Sequence, residues 1–292
     1  MENNNRDTFD DEFRVLGTGS PVPVEDLEGE RRRKKLGSWT AFAIVALLGL
    51  GMFVFWPKSE AQDDVEGVFE SRFEMEAGRS LDTLITESHC VVKLDTTVSG
   101  HLMTLFVPHL ATPRLLAGNL TDDDRKAVMT FQAADIRADN KEILGEFVMA
   151  GEQLASGVSK RGYCAIVDGM IYVGVGESTP LLAEAISKKG YFFRQYPLVD
   201  NGEPVWNKPQ NKTVRKALCD WNDQVLVVVS TDRLTLDEFA QVLADFGVKN
   251  AIYLVGSEYA YGWSVDQDGK REEFGSEDLR PDYQKQSYIL WD

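Results

Sequence analysis

The sequence predicts an α+β fold: one strand-rich domain with a few short helices, preceded by one transmembrane helix. Three observations carry that expectation. Short apolar, β-branched runs separated by Asp-Gly and Asn-Gly turns recur from His89 to Trp291, the pattern of paired strands. Few stretches combine helical spacing with cap residues. Ahead of all these, Trp39 to Trp56 is an 18-residue run without a charge.

In chain order, residues 1–37 read as an acidic cytoplasmic tail that ends in a basic cluster, Arg31-Arg32-Arg33-Lys34-Lys35. Residues 38–57 read as the transmembrane helix. At 1.5 Å per residue its apolar run spans about 27 Å, close to the hydrocarbon thickness of a bilayer. Tryptophans at both ends suit the two interfaces, and Pro57 stops the helix. The basic cluster before the span places the tail in the cytoplasm and the C-terminal domain in the periplasm or outside the cell. The alternative is a cleaved signal peptide, since Ser59-Glu60-Ala61 loosely fits a cleavage site; the long apolar run and long leading tail favour the anchor.

Residues 58–79 form an acidic linker, and the folded domain is expected over 80–292. His89–Leu94 and Leu102–Val107 read as strands, and Asp122–Ala133 as a short helix. Tyr163–Val167 and Met170–Val175 flank Asp168-Gly169, a strong hairpin signal. Thr179-Pro180 opens a helix, with Lys188 and Lys189 in its last turn and Gly190 at its end. A strand then runs into the turn Asp200-Asn201-Gly202, and Val214–Asp220 with Gln224–Ser230 reads as a second hairpin.

The stretch Asp223–Trp263 is the organising unit. Val225–Val229 reads as a buried strand. Thr235–Phe246 reads as a helix with Thr235 and Glu238 spaced as a capping box and Gly247 as C-cap. Ala251–Val255 is a second strand, which turns polar at Gly256-Ser257-Glu258-Tyr259. The end of such a strand is where βαβ-like units usually present ligand-contacting groups. Ser264–Val265, a turn at Asp268-Gly269 and Ser287–Trp291 close the domain.

The net charge of −16 argues against a nucleic-acid partner, because phosphate backbones need a basic surface. Cys90, Cys164 and Cys219 each lie in an apolar run without C-x-x-C spacing and read as buried hydrophobes; one disulfide with an odd thiol is the alternative. His89, His101 and His109 lack metal-site spacing, so no metal is expected. Nothing calls for a cofactor.

Four segments in order, GVSKRGYCAIVDGMIYVGV, FRQYPLVDNGE, VRKAL and LTLDEFAQVLADFGVKNAIYLVGS, resemble the phosphodiester glycosidase family, whose activity removes N-acetylglucosamine from a sugar phosphodiester. The resemblance covers roughly Cys90 to Trp291. It implies a hydrolase of the cell envelope that acts on or binds a sugar phosphodiester or glycan. Two positions depart from the family pattern. Val255 stands at the signature Asp of Asp-Gly-Gly-Gly-Ser-Ser, with Gly256 kept and Ser257, Glu258, Tyr259 and Ala260 following. QAADIRADN around Asp135 replaces an Asn-Gly-Gly-Phe-like segment.

The resemblance aligns Arg215 with a phosphate-gripping arginine; the bland reading is a solvated strand-end charge. Asp135 and Glu258 are the carboxylates that could assist glycosidic cleavage, against a pairing of Asp135 with Arg137 and an exposed turn for Glu258. Arg194, Ser257, Tyr259 and Tyr261 are candidate substrate contacts, the tyrosines by stacking on a sugar face. The alternatives are a structural role for Arg194 and, for Tyr259, Tyr261 and Trp263 (which could stack likewise), the packed end of a strand. Two functions follow: a hydrolase, or a catalytically inactive module binding a glycan or a protein on the same fold. A carboxylate within reach of Arg215 would favour the first, and a cleft without one the second.

Overall fold

The computed structural model describes residues 88–137, 139–140, 142–276 and 286–292, all within one compact unit. The tail, membrane span, linker and domain start at Ser80 expected from the sequence lie outside the described residues.

Seventeen strands form three antiparallel sheets among the described residues. The first hairpin pairs β1 (Cys90–Val98) with β2 (His101–His109). Both strands run several residues past the apolar runs that announce them, because Ser99 and Gly100 adopt positive φ and keep the strands in register up to the turn. β3 (Pro113–Ala117) follows, then a single 3-10 turn at Asp124–Lys126 and β4 (Met129–Gln132). The helix expected over Asp122–Ala133 is therefore replaced by a turn and a strand. Val128, Met129 and Phe131 are apolar without helical spacing, and Met129–Gln132 pairs with the C-terminal strand.

β5 (Phe147–Met149), β6 (Glu152–Ala155), β7 (Gly162–Val167), β8 (Met170–Val175) and β9 (Tyr191–Gln195) make the second sheet, in the order β6-β5-β9-β7-β8. The β7–β8 turn is the expected Asp168-Gly169, both at positive φ. Helix α1 (Pro180–Ser187) lies on this sheet, with the Thr179 hydroxyl accepting from the Leu181 amide. Its left-handed terminal residue is Lys189, not Gly190. Gly190 is instead required by packing, since a Cβ there would strike the Ile166 carbonyl.

β10 (Pro197–Asp200), β11 (Glu203–Pro204), β12 (Thr213–Trp221), β13 (Gln224–Leu234) and β14 (Asn250–Leu254) join β1 and β2 in a seven-stranded sheet, ordered β1-β2-β13-β12-β14-β10-β11. Helix α2 (Leu236–Asp245) connects β13 to β14, and its capping box between Thr235 and Glu238 forms as expected. β13 and β14 are each antiparallel to the intervening β12, so they run parallel to each other around it. β15 (Gly262–Val265), β16 (Arg271–Phe274) and β17 (Ser287–Trp291) complete the third sheet with β4 and β3.

One core serves all three sheets. Phe106, Leu218 and Val227 of the first meet Phe131 and Ile289 of the third and Phe147, Cys164 and Phe193 of the second. The Phe131 ring stands edge-on to Phe106 at 5.4 Å and 4.9 Å from Phe274. Cys90, Cys164 and Cys219 are all buried, as small core residues. Burial pushes the Cys164 and Cys219 thiols well up, which keeps them protonated and unreactive.

Candidate functional site

The ends of β4, β9, β12 and β14 meet where the three sheets join. Val255 donates its amide to the Gln132 carbonyl at 3.1 Å, which ties the exit of β14 to that of β4. Asp135 lies just beyond β4, its backbone fixed by Leu144 N–H on its carbonyl at 2.8 Å. The preceding Ala134 amide donates to Ser287 Oγ at 2.9 Å.

Around Asp135 a closed ring of polar side chains forms. Lys160 Nζ donates to Asp135 Oδ2 and to Gln195 Oε1 at 2.8 Å. Gln195 Nε2 returns to Asp135 Oδ1 at 3.1 Å and also reaches the Ala133 carbonyl at 3.3 Å. The Gln195 oxygen accepts from the Tyr196 amide at 2.9 Å as well. Lys160 Nζ sits 4.0 Å from the centre of the Tyr196 ring. Lys160 and Gln195 are buried, and the Asp135 side chain is 12% exposed. Burial pushes the Lys160 ammonium down in pKa, while Asp135 pulls it back up. The ring satisfies each member, the condition under which a buried charged pair is tolerated.

From Tyr196 the polar row continues. Its ring meets Tyr253 edge-on at 6.4 Å, and Tyr253 carries the Arg215 guanidinium 5.6 Å from its ring centre. Arg215 sits at a β-bulge, where the β12–β13 register shifts between Val214 and Lys216. Bulges re-aim a side chain in this way. The guanidinium donates to the Leu234 carbonyl at 2.9 Å, to the Asn211 carbonyl, and to Tyr253 Oη at 3.4 Å. Arg215 is buried, not a solvated strand-end charge.

The turn after β14 closes the row. Gly256 N–H donates to Tyr253 Oη at 2.8 Å, and Ser257 N–H to the Val214 carbonyl at 2.8 Å. Only glycine fits at 256, because a Cβ there would stand 2.5 Å from Tyr253 Oη and 2.8 Å from the Val214 carbonyl. Ser257 is buried at φ +69°, a left-handed conformation that glycine adopts without strain.

The sequence-predicted residues are thus divided. Asp135 and Arg215 lie on the same polar row, joined through Lys160, Tyr196 and Tyr253. Neither expected carboxylate bonds Arg215: Asp135 is held by Lys160 and Gln195, and Glu258 pairs at the surface with Arg233 at 3.0 Å. The expected approach of Arg137 to Asp135 does not occur, since Arg137 binds Asp139 at 2.9 and 2.7 Å. Arg194 is fully buried and staples backbone, donating to Glu146 at 2.5 Å and to the Gly176 and Glu177 carbonyls at 2.8 Å each. Tyr261 is buried beside Trp263 at 5.8 Å and accepts from Arg125 at 3.4 Å, so its ring packs inward. Tyr259 is 43% exposed at the turn.

Lys160, Gln195, Tyr196 and Tyr253 escape the sequence reading. The one local signal is that Gln195-Tyr196 and Tyr253 interrupt apolar strand runs with polar atoms that must find partners. Among the described residues, no three His, Cys, Asp or Glu side chains gather as a metal would require.

Residues 125–263 match the family model described as phosphodiester glycosidase, the family that the sequence resembles. Among solved structures, the catalytic domain of zebrafish N-acetylglucosamine-1-phosphodiester alpha-N-acetylglucosaminidase, auto-inhibited by its pro-peptide, is similar at 16% identity and a TM-score of 0.50. The match covers 70% of this chain and 82% of that one. A hypothetical protein from Synechocystis is similar at 15% identity and a TM-score of 0.48, over 70% of this chain and 62% of that one. The first likeness speaks to the fold alone. No curated protein matches the chain.

Proposed function

We propose that the domain recognises a glycan or a sugar phosphodiester of the cell envelope, and that binding rather than bond cleavage is its task. The observation that carries this reading is the commitment of the site's acids. Val255 stands where the family pattern has its signature Asp, Asp135 is locked in the ring with Lys160 and Gln195, and Glu258 faces solvent on Arg233. Glycosidic cleavage calls for a pair of carboxylates flanking the scissile bond. The exposed Tyr259 ring at the rim of the turn supplies a face on which a sugar can stack.

Trp39–Trp56 and the basic cluster before it support an anchored protein, with its tail in the cytoplasm and this domain in the periplasm or outside the cell. Among the described residues no helix is long and apolar enough to cross a membrane; the proposed span lies outside them.

A second reading, hydrolysis, is favoured by the position of Asp135. It is a nearly buried carboxylate inside the family-matched stretch, on the same polar row as Arg215. The detergent-solubilised full chain decides between them. It is assayed with a chromogenic sugar phosphodiester and, in parallel, by calorimetry with envelope glycans. Binding without turnover is expected. Turnover that disappears in Asp135→Asn, Glu258→Ala or Arg215→Ala would replace recognition with catalysis.

A further inference from the structure

The resemblance aligns Arg215 with a phosphate-gripping arginine and keeps Gly256 from the family's glycine turn, where a missing Cβ lets backbone approach a ligand closely. In this chain the same two elements face each other across Tyr253. Gly256 N–H points at Tyr253 Oη from 2.8 Å, and Arg215 Nη1 points at it from 3.4 Å. A backbone amide and a guanidinium converging on one oxygen are the donor set that binds an oxyanion. The space left by the missing Cβ of Gly256 is filled by that phenol oxygen, only 2.5 Å from where the Cβ would be.

We infer that the Tyr253 hydroxyl occupies the seat of a ligand's anionic oxygen, making Tyr253 a specificity-determining residue that selects a glycan without phosphate at this position. The inference rests on the recognition reading above and narrows its ligand class.

Three further observations support it. The ring is not free to swing aside: it is 4% exposed, and β14 lies inside the sheet between β12 and β10. The Tyr253 amide is also bound to the Tyr196 carbonyl at 2.9 Å. Moving the hydroxyl would leave the Gly256 amide buried without its acceptor, which opposes the motion. Finally, the nearby buried cations are likewise committed to internal oxygens. Lys160 serves Asp135 and Gln195, Lys216 donates to the Ala260 carbonyl at 3.0 Å, and Arg194 serves Glu146 and backbone carbonyls. A phosphate entering here would meet cations whose charge is already directed elsewhere.

The test is calorimetric titration of the full chain with inorganic phosphate, with a sugar phosphodiester, and with the corresponding neutral sugar. The wild-type protein is expected to bind the neutral sugar and to reject both anions. Tyr253→Ala opens the seat and should bind phosphate at least about tenfold more tightly than wild type. Adding Arg215→Met should erase that gain, as expected of coupled neighbours. Tyr253→Phe removes the oxygen but not the ring, so it should show a smaller gain.

Wild-type binding of phosphate or the phosphodiester as tight as its binding of the neutral sugar overturns the inference, and this arm needs no variant. A gain that survives Arg215→Met overturns it too. Failure of the recognition reading is distinguishable: the wild type would bind none of the sugars, while the phosphate arm would still judge Tyr253.

Discussion

Two acid–base pairs stand past the ends of two strands, β4 and β14, and could hardly differ more. Asp135 and Lys160 meet at the exit of β4, with side chains 12% and 5% exposed. Gln195 closes them into a ring in which each polar atom has a partner. Glu258 and Arg233 meet past the exit of β14, 38% and 59% exposed. The residue types are nearly the same, yet the energetics are not. A solvated pair is screened and loses side-chain entropy on forming, so it contributes little. A buried pair adds little net stability as a pair, but removing one member strands the other in a poor solvent for charge. Burial, not the presence of opposite charges, makes the first pair an organising element of the site.

That contrast can be broken by mutation, and the largest effect is expected at the ring. Lys160→Met leaves Asp135 without its cation and should destabilise the domain by about 3–5 kcal/mol in urea unfolding. Adding Asp135→Leu should recover most of the loss. A double variant as unstable as the single one would show that the two residues do not act as a unit.

Next comes the turn. Gly256→Ala drives a methyl into Tyr253 Oη and the Val214 carbonyl, and about 1–3 kcal/mol of stability should be lost. Ser257→Gly, one residue on, relieves the left-handed serine and should return about 1 kcal/mol. The opposite signs at adjacent positions make a sharp thermal-melt comparison.

A second buried acid extends the comparison to pH. Asp124 accepts from the Thr121 amide and hydroxyl at 2.8 and 2.6 Å and from Arg114 at 2.9 Å. Burial raises its pKa, but the Thr121 and Arg114 contacts outweigh burial and hold it below its ordinary value of 3.8. A carboxylate lowered on folding stabilises the fold fully above its unfolded value, and that contribution fades as pH falls through the folded one. Asp124→Asn should therefore cost about 1.5–3 kcal/mol at neutral pH. The gap to wild type should close in acid below the folded value. A gap that stays constant down to low pH would assign the loss to packing rather than charge.

The smallest effect is expected at the exposed pair, where Glu258→Gln should change stability by less than about 0.5 kcal/mol. A loss as large as at the ring would erase the distinction drawn between the two pairs.

Much of the fold was legible because it is local. The β7–β8 and β10–β11 turns, the Thr235–Glu238 capping box and the Thr179 cap follow from residues a few positions apart whose backbone preferences are strong. The short strands β3, β5 and β6 carry little period and were not legible. In the stretch read as a helix at Asp122–Ala133, Met129–Gln132 became β4 because pairing with β17 satisfied its backbone. Gly190 shows the same limit at one residue: the sequence marked a helix end, but the contact with the Ile166 carbonyl is what demands glycine there.

For the site, the sequence by itself marked Asp135 and Arg215 as worth attention, and its resemblance set Val255 against the family's signature Asp with Gly256 beside it. Only the tertiary structure decided the partners. Lys160 lies 25 residues from Asp135 in the chain, Gln195 lies 60 from it, and Tyr253 lies 38 from Arg215. Whether a side chain becomes a catalyst, a ligand contact or a staple depends on which partners burial brings within hydrogen-bond distance. Those partners come from strands far apart in sequence that meet only when three sheets close on one core.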